Sequence, residues 1–419
     1  MTPTLRQLLV KRLGALPVVR EYLERLRVRE RVDALAPVRD LAHLTNGEVV
    51  VALVANRLTA PRPLYDIVQW AETWAVEEAV GIRPADLNDD RLGRCLDDLA
   101  AGHDRLRGDL TVQAAAAFGL ETKALRWDLT SLLVTGDYPA EEQAAGYAQV
   151  RYGCGGGTQK QVRWLQVTTD DGAVPIWEQP YDGNTPDGAT AVETMLALRE
   201  HARCRDFALL GDSTLLSAPN RAALLAAGIG YTAPLARPPD LDEAFLAIAP
   251  EQLVPLAYVS ARERAKPPEE RTTYEGYEST AVVTVGAPAG PEGARSRQVR
   301  RLFVVSSEER AACRRNRARQ RARAEPEIAG IVRRVGTRWY PTAARAAAKV
   351  EAILERRHLR ALYEVAVAER AGRPTVTCML RPEALARAEA LDGYYALETT
   401  RPVAEAEASA VLAEWKGQW

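Results

Sequence analysis

KALRWDLTSLLVTG, residues 123–136, is where the chain changes its periodicity. Up to about residue 120, apolar residues recur at helical spacing; from Glu121 they alternate, as in a half-buried strand. Two more alternating runs follow, VRWLQVTTDDG (162–172) and VPIWEQPYDGN (174–184). They meet at DDGA, a short turn that makes them a hairpin. The spacing then predicts a helix over 188–202, a strand in DFALLGDS (206–213), a helix over 217–227 and a strand in YTAPLA (231–236). Three meander strands followed by alternating helix and strand predict a mixed sheet with helices on its faces, an α+β or α/β fold.

Totals narrow the class. The chain has 419 residues, 47% hydrophobic, enough for several domains with a sizeable core. No apolar run approaches the ~20 residues of a membrane span. The N-terminus, MTPTLRQLLVKRLG, spreads charges through an amphipathic pattern and predicts a helix, not a cleaved signal. Five dispersed cysteines without a C-x-x-C pair point to a reducing compartment and away from a disulfide framework or zinc site. Four histidines, none at i,i+4 spacing to another, argue against a His-based metal centre. The net charge of −1 hides a strong asymmetry. Residues 295–360 hold 19 Lys+Arg against 6 Asp+Glu, a local +13, leaving −14 elsewhere. Such segregation predicts a basic surface held on an acidic body.

Residues 1–120 form an expected helical region. LTNGEVVVALVANRL places Thr45 and Glu48 at capping-box spacing. The helix, break, helix pattern over 46–75 fits either a helix-turn-helix or a plain helical bundle. Residues 121–237 form the first part of a sheet core. Residues 238–392 are expected as an insertion holding a long-looped hairpin (TAVVTVG, RRLFVVS), a basic helix over 308–324, a helix over 341–361 and the strand pair YEVAVAERAGRPTVTCML. The core returns over 393–419 with the strand LDGYYALETT and a last helix from Pro402.

Two acids stand out by position. Asp128 lies within the apolar strand RWDLTSLLV, and Asp212 closes FALLGDS. Carboxylates are disfavoured in strands, and an acid at a strand's carboxyl end lies where open α/β sheets bind ligands. If the two strands are neighbours, the acids converge as oxygen ligands suited to Mg²⁺. Two such metals clamp the attacking and leaving oxygens of a phosphodiester. Strand-end acids that only shape a turn are the alternative. The helix EERAACRRNRARQRARAE carries Arg310, Arg314, Arg317 and Arg321 on one face, with Arg315, Arg319 and Arg323 beside it. With only alanines and Cys313 as apolar residues, it has no hydrophobic stripe to bury. Same-sign charges at i,i+4 repel, so contact to the phosphates of a polyanion is expected. GCGGGTQK (153–160) departs from the G-x-x-x-x-G-K-[ST] pattern and predicts a flexible loop. Asp182, Asn184 and Asp187 suit turn chemistry.

These pieces together resemble a known family. RWDLTSLLVTGDY resembles the first catalytic strand of DDE-type insertion-sequence transposases, with its D-x-T-S core. LLGDSTLLSAPNRAALLAAGIGYTAPL resembles their second, and PYDGNTPDGAT their DGNTSD loop. PRPLYDIVQW and IRPADLNDDRLGRCLDDL resemble the helical front of one branch. The family is the IS four superfamily, and the resemblance implies an RNase H-like catalytic domain. It also implies cutting and joining of double-stranded DNA, element ends and target alike, with Mg²⁺ or Mn²⁺ on Asp128 and Asp212. A homodimer on DNA, a cytoplasmic, nucleoid-associated location and no membrane contact come with it. The family's third acid follows Y-x2-R-x3-E on the last helix. Here Trp415 takes the Tyr position and Gln418 the Arg position, so the Glu is expected past Trp419 and no third catalytic Glu stands in this chain. The alternative is therefore a truncated or frame-shifted transposase that binds DNA without cutting it. A different RNase H-like nuclease is a third reading, against which the helical front argues.

Overall fold

The computed structural model describes residues 10–417 other than 40–41, 155–156, 205, 286–294 and 371–372. The expected N-terminal helix over 1–9, the Gly/Pro-rich loop at 286–294, the centre of GCGGGTQK and position 418 lie outside the described residues. The chain divides into two compact units, Met1–Leu210 and Gly211–Trp419.

The first unit begins with helices α1 (Leu16–Arg25), α2 (Val28–Leu35), α3 (Asn46–Thr59), α4 (Ile67–Thr73), α5 (Val76–Val80), α6 (Asp89–Ala100) and α7 (His103–Phe118). Residues 10–14 are not helical; Arg12 instead bridges to Trp74. Helix α3 starts where the capping box sits: Thr45 Oγ1 accepts from Glu48 N at 3.1 Å, and Glu48 Oε2 accepts from Thr45 N at 2.9 Å. Buried Asn56 braces the turn to α4, donating to Ala60 O at 3.0 Å and accepting from Arg62 N at 3.1 Å. Helix α4, IVQWAET, has no Lys or Arg and buries Ile67, Trp70 and Ala71 in the helical core.

The strands of this unit are β1 (Ala124–Leu133), β2 (Arg151–Tyr152), β3 (Lys160–Thr169), β4 (Pro175–Tyr181) and, after helix α8 (Ala191–Glu200), β5 (Ala208–Leu210). Strand β1 pairs antiparallel with β3 and parallel with β5, so the sheet is mixed, as the alternation of elements predicts. Strands β2 and β4 pair with β3.

The second unit runs α9 (Ala218–Ala226), β6 (Gly230–Pro234), α10 (Pro239–Leu246), β7 (Val254–Leu256), β8 (Tyr274–Val285), β9 (Arg295–Ser306), α11 (Ser307–Val332), α12 (Ala343–Arg356), β10 (Tyr363–Arg370), β11 (Arg373–Leu380), α13 (Pro382–Ala390), β12 (Tyr394–Thr399) and α14 (Ala408–Lys416). Strand β12 lies between β6 and β9, antiparallel to both, and β8 and β7 continue outward from β9. Three strands of the expected insertion are therefore part of this sheet. What stands apart is a small body with its own core: Ala324, Ile328 and Ile331 of α11 pack with Val350, Ile353 and Leu354 of α12 and with Tyr363 and Val376 of the β10–β11 hairpin.

Candidate metal and nucleic-acid sites

Strand β1 turns Leu125, Trp127 and Leu129 inward and leaves Asp128 exposed, opposite Gln166 on β3. One Asp128 oxygen accepts from Leu129 N at 2.9 Å. Its neighbour on the same side, Arg126, is bound to Asp170 and offers Asp128 no counter-charge. Asp212 follows β5 by two residues and is also exposed. Its Oδ1 accepts from Thr214 N at 2.8 Å and from Thr214 Oγ1 at 2.5 Å, closing the turn that leads to the Ser217 cap of α9. Asp212 thus shapes a turn with one oxygen. The β1–β5 register pairs Ala124 with Ala208, Leu125 with Leu209 and Arg126 with Leu210. Asp128 and Asp212 each come two residues after the last of these pairs. The donor set is oxygen alone, which suits Mg²⁺ or Mn²⁺ and not a thiolate- or imidazole-loving metal. Among the described residues no three His, Cys, Asp or Glu side chains form a group able to hold a metal.

The DGN loop is built into the sheet edge. Asp182 Oδ1 accepts from Gln149 N at 2.7 Å, the Asn184 carbonyl accepts from Cys154 Sγ at 2.7 Å, and Asp187 pairs with Arg163. A Cβ on Gly183 would stand 2.0 Å from Gln161 O and 2.6 Å from Arg151 O, so only glycine fits. Lys160, the cation of the Gly-rich loop, sits in β3, with Nζ 5.7 Å from the Tyr152 ring centroid and donating to Asp137 O.

Helix α11 is capped by Ser306, whose Oγ accepts from Glu309 N at 3.4 Å. It runs 26 residues, about 39 Å at 1.5 Å per residue. It ends eight residues beyond the expected 324, passing through Pro326. Proline removes one backbone hydrogen bond, and burial of Ile328 and Ile331 beyond it offsets the loss. Its seven candidate arginines divide into two groups. Arg317 pairs with buried Asp392, Arg314 lies 3.8 Å from the same carboxylate, and Arg321 binds Tyr363 Oη at 3.2 Å and Glu325 at 3.1 Å. These three anchor the helix to its own body. Arg310, Arg315, Arg319 and Arg323 have no acidic partner among the described residues, and the last three are exposed. Sequence reasoning missed a second basic place just after α11, around Trp339, because attention to arginine density along one helix ignores an isolated aromatic residue.

The last helix, α14, carries Trp415 against Tyr395, with ring centroids 5.3 Å apart. Lys416 sits above the same group, with Nζ 5.2 Å from each of these two ring centroids, and pairs with Glu309 at 3.4 Å.

Residues 8–109, most of the helical region, match the model of a family described as a domain of unknown function (DUF4277). No curated protein matches the chain. Among solved structures, the chain is similar to the piggyBac transposase in a synaptic complex with hairpin DNA, at 12% identity and a TM-score of 0.29. That similarity covers 70% of this chain and 56% of the other, so this chain spans little more than half the length of that relative.

Proposed function

We propose that the chain is a DDE-type transposase of the insertion-sequence kind, which binds the terminal repeats of its element, cuts the DNA ends and joins them to a target. The observation that carries this reading is the parallel pairing of β1 and β5: Asp128, within β1, and Asp212, past the end of β5, each follow the last paired residue of their segment by two. The motif resemblance of both segments adds to it. In this reading Asp128 and Asp212 would hold Mg²⁺ or Mn²⁺ through carboxylate oxygens. The bound ions would activate water and stabilise the charge developing on the phosphodiester oxygens. Arg315, Arg319 and Arg323 hold DNA backbone, supplying affinity and position without base readout. A homodimer, one protomer per element end, in the nucleoid completes the proposal.

The test is Mg²⁺-dependent cleavage of a duplex carrying the element's ends. Asp128→Asn and Asp212→Asn are each expected to lower cleavage by at least about 10²-fold while leaving binding intact, since a lost metal ligand removes several kcal/mol of transition-state stabilisation. Cleavage unchanged by both substitutions would sink the assignment. A second reading is DNA binding without cleavage. It predicts end binding by the wild type and no Mg²⁺-dependent product.

A further inference from the structure

Residues 333–350 hold five cations, Arg333, Arg334, Arg338, Arg345 and Lys349, and no acid. They form the turn from α11 to α12 and the first turns of α12. The turn is tightly held. Gly336, at a φ of +79°, donates its N–H to Tyr340 O at 2.8 Å. Thr337 Oγ1 donates to Arg334 O at 2.6 Å and accepts from Trp339 N at 3.3 Å. What this fixed turn presents is an indole: Trp339 is 60% exposed, with the Arg338 guanidinium 5.1 Å from its ring centroid. Beside it lies a recess of about 440 Å³ lined by Arg334, Trp339, Tyr340, Arg345 and Lys349.

Stability does not account for this arrangement. Arg345 and Lys349 are an i,i+4 pair of like charge on the exposed face of α12, which costs helix stability. Two of the three acids at this end of the body are committed elsewhere, Glu351 to Arg360 at 3.0 Å and Glu327 to Arg356 at 2.8 Å and to Arg357, and the third, exposed Glu355, pairs with none of these cations. Among the described residues the cations lining the recess have no acidic partner. The opposite face of α12, with Ala346, Val350 and Ile353, is anchored in the core of this body, so the platform is rigid. An exposed aromatic face ringed by unpaired cations is the arrangement that holds single-stranded nucleic acid. The base stacks on the ring and the flanking phosphates meet the cations. In a duplex the base faces are already stacked and only the phosphates remain available.

We propose that Trp339 and the surrounding Arg334, Arg338, Arg345 and Lys349 form a site for an unpaired nucleotide of a DNA strand. The choice of DNA rests on the proposed function; the stacking chemistry does not. The test is anisotropy of a labelled short oligothymidylate and of a short duplex, measured in EDTA so that no metal-dependent step enters. Trp339→Ala is expected to weaken oligothymidylate binding about tenfold and duplex binding less than twofold, with Trp339→Phe close to wild type. The Arg345→Ala, Lys349→Ala double variant is expected to weaken both ligands and to flatten the salt dependence of the single strand by about 1.4 in log–log slope. Circular dichroism checks that the exposed substitutions leave the fold intact. An oligothymidylate affinity unchanged by Trp339→Ala, or lowered no more than that of the duplex, would overturn the site, as would a wild type that binds no single strand. Because the assay contains no metal, cleavage failing at Asp128 or Asp212 leaves this result standing, and the reverse also holds.

Discussion

At the scale of single residues, the most constrained carboxylate in the second unit is not a candidate ligand at all. Glu398 on β12 is fully buried and accepts from Tyr231 Oη at 2.8 Å and Arg301 Nε at 3.1 Å, with Arg221 Nη1 at 3.4 Å. A buried ion cluster is costly to break because the surviving charges lose their compensation. Glu398→Ala is expected to destabilise by about 3 kcal/mol, read as a fall in the urea midpoint; an unchanged midpoint would show that the arginines find other partners. The cysteines separate by the same logic of burial. Cys95 is buried and its thiol is pushed up to about 11 by desolvation, whereas Cys154 and Cys313 are exposed. Since the thiolate is the reactive form, iodoacetamide at mildly alkaline pH is expected to label Cys154 and Cys313 in the native protein and spare Cys95 until it unfolds, as peptide mass spectrometry would report. Asp128 was visible in the sequence because a charge interrupts an apolar strand, and Asp212 because a charge closes one. Glu398 in ALETT was not, because nothing local announces that two arginines and a tyrosine from distant segments surround it.

Among the elements, those governed by local chemistry follow the sequence closely. The Thr45–Glu48 box starts α3 where its spacing says it should. Thr45→Ala is expected to cost about 1 kcal/mol in thermal or urea unfolding, the usual worth of a helix cap. The DDGA hairpin between β3 and β4 and the β10–β11 pair also appear as read. Elements governed by distant partners do not. The run from Pro402 has helical composition, yet α14 begins only at Ala408. The reason lies in β9: Arg300 donates to Arg401 O at 2.6 Å and to Ala406 O at 2.9 Å, taking a carbonyl that an earlier helix start would use. Gly183 is a similar case of tertiary demand, since its backbone is pressed against two strands. Gly183→Ala is expected to lower stability by about 1–3 kcal/mol through overpacking, measurable as a lower melting temperature.

Over the whole molecule, charge and burial are distributed unevenly. The cations of 295–360 were legible as a +13 block, and the structure sorts them into anchors, such as Arg300, Arg317 and Arg321, and exposed groups, such as Arg315, Arg319 and Arg323. Tyrosines show a second asymmetry. In the second unit burial pushes Tyr274 and Tyr394 up to about 12 from an ordinary value of 10, and raises Tyr231 and Tyr395 further. Groups whose folded pKa is raised contribute stability that is whole below the unfolded value and is lost as pH climbs through the folded one. Stability is therefore expected to decline above about pH 10. These tyrosines should ionise together with loss of structure, not before it, as parallel absorbance and circular dichroism titrations would show. Ionisation of all 14 tyrosines near pH 10 in a still-folded chain would refute the burial.

Features under short-range control are legible in the amino-acid order alone: the change of periodicity at residue 121, the helix caps, the hairpin turns, the basic block and the two strand acids with their motif resemblance. Period, capping and charge density are properties of neighbouring residues, so they are readable without coordinates. Non-local packing places β12 between β6 and β9, extends that sheet through β7–β9, carries α11 through Pro326, and leaves Trp339 exposed among cations that have no acidic partner among the described residues. Each depends on which distant surfaces bury one another. That choice is made by the summed apolar and hydrogen-bonding gains of non-local contacts, which no single segment records.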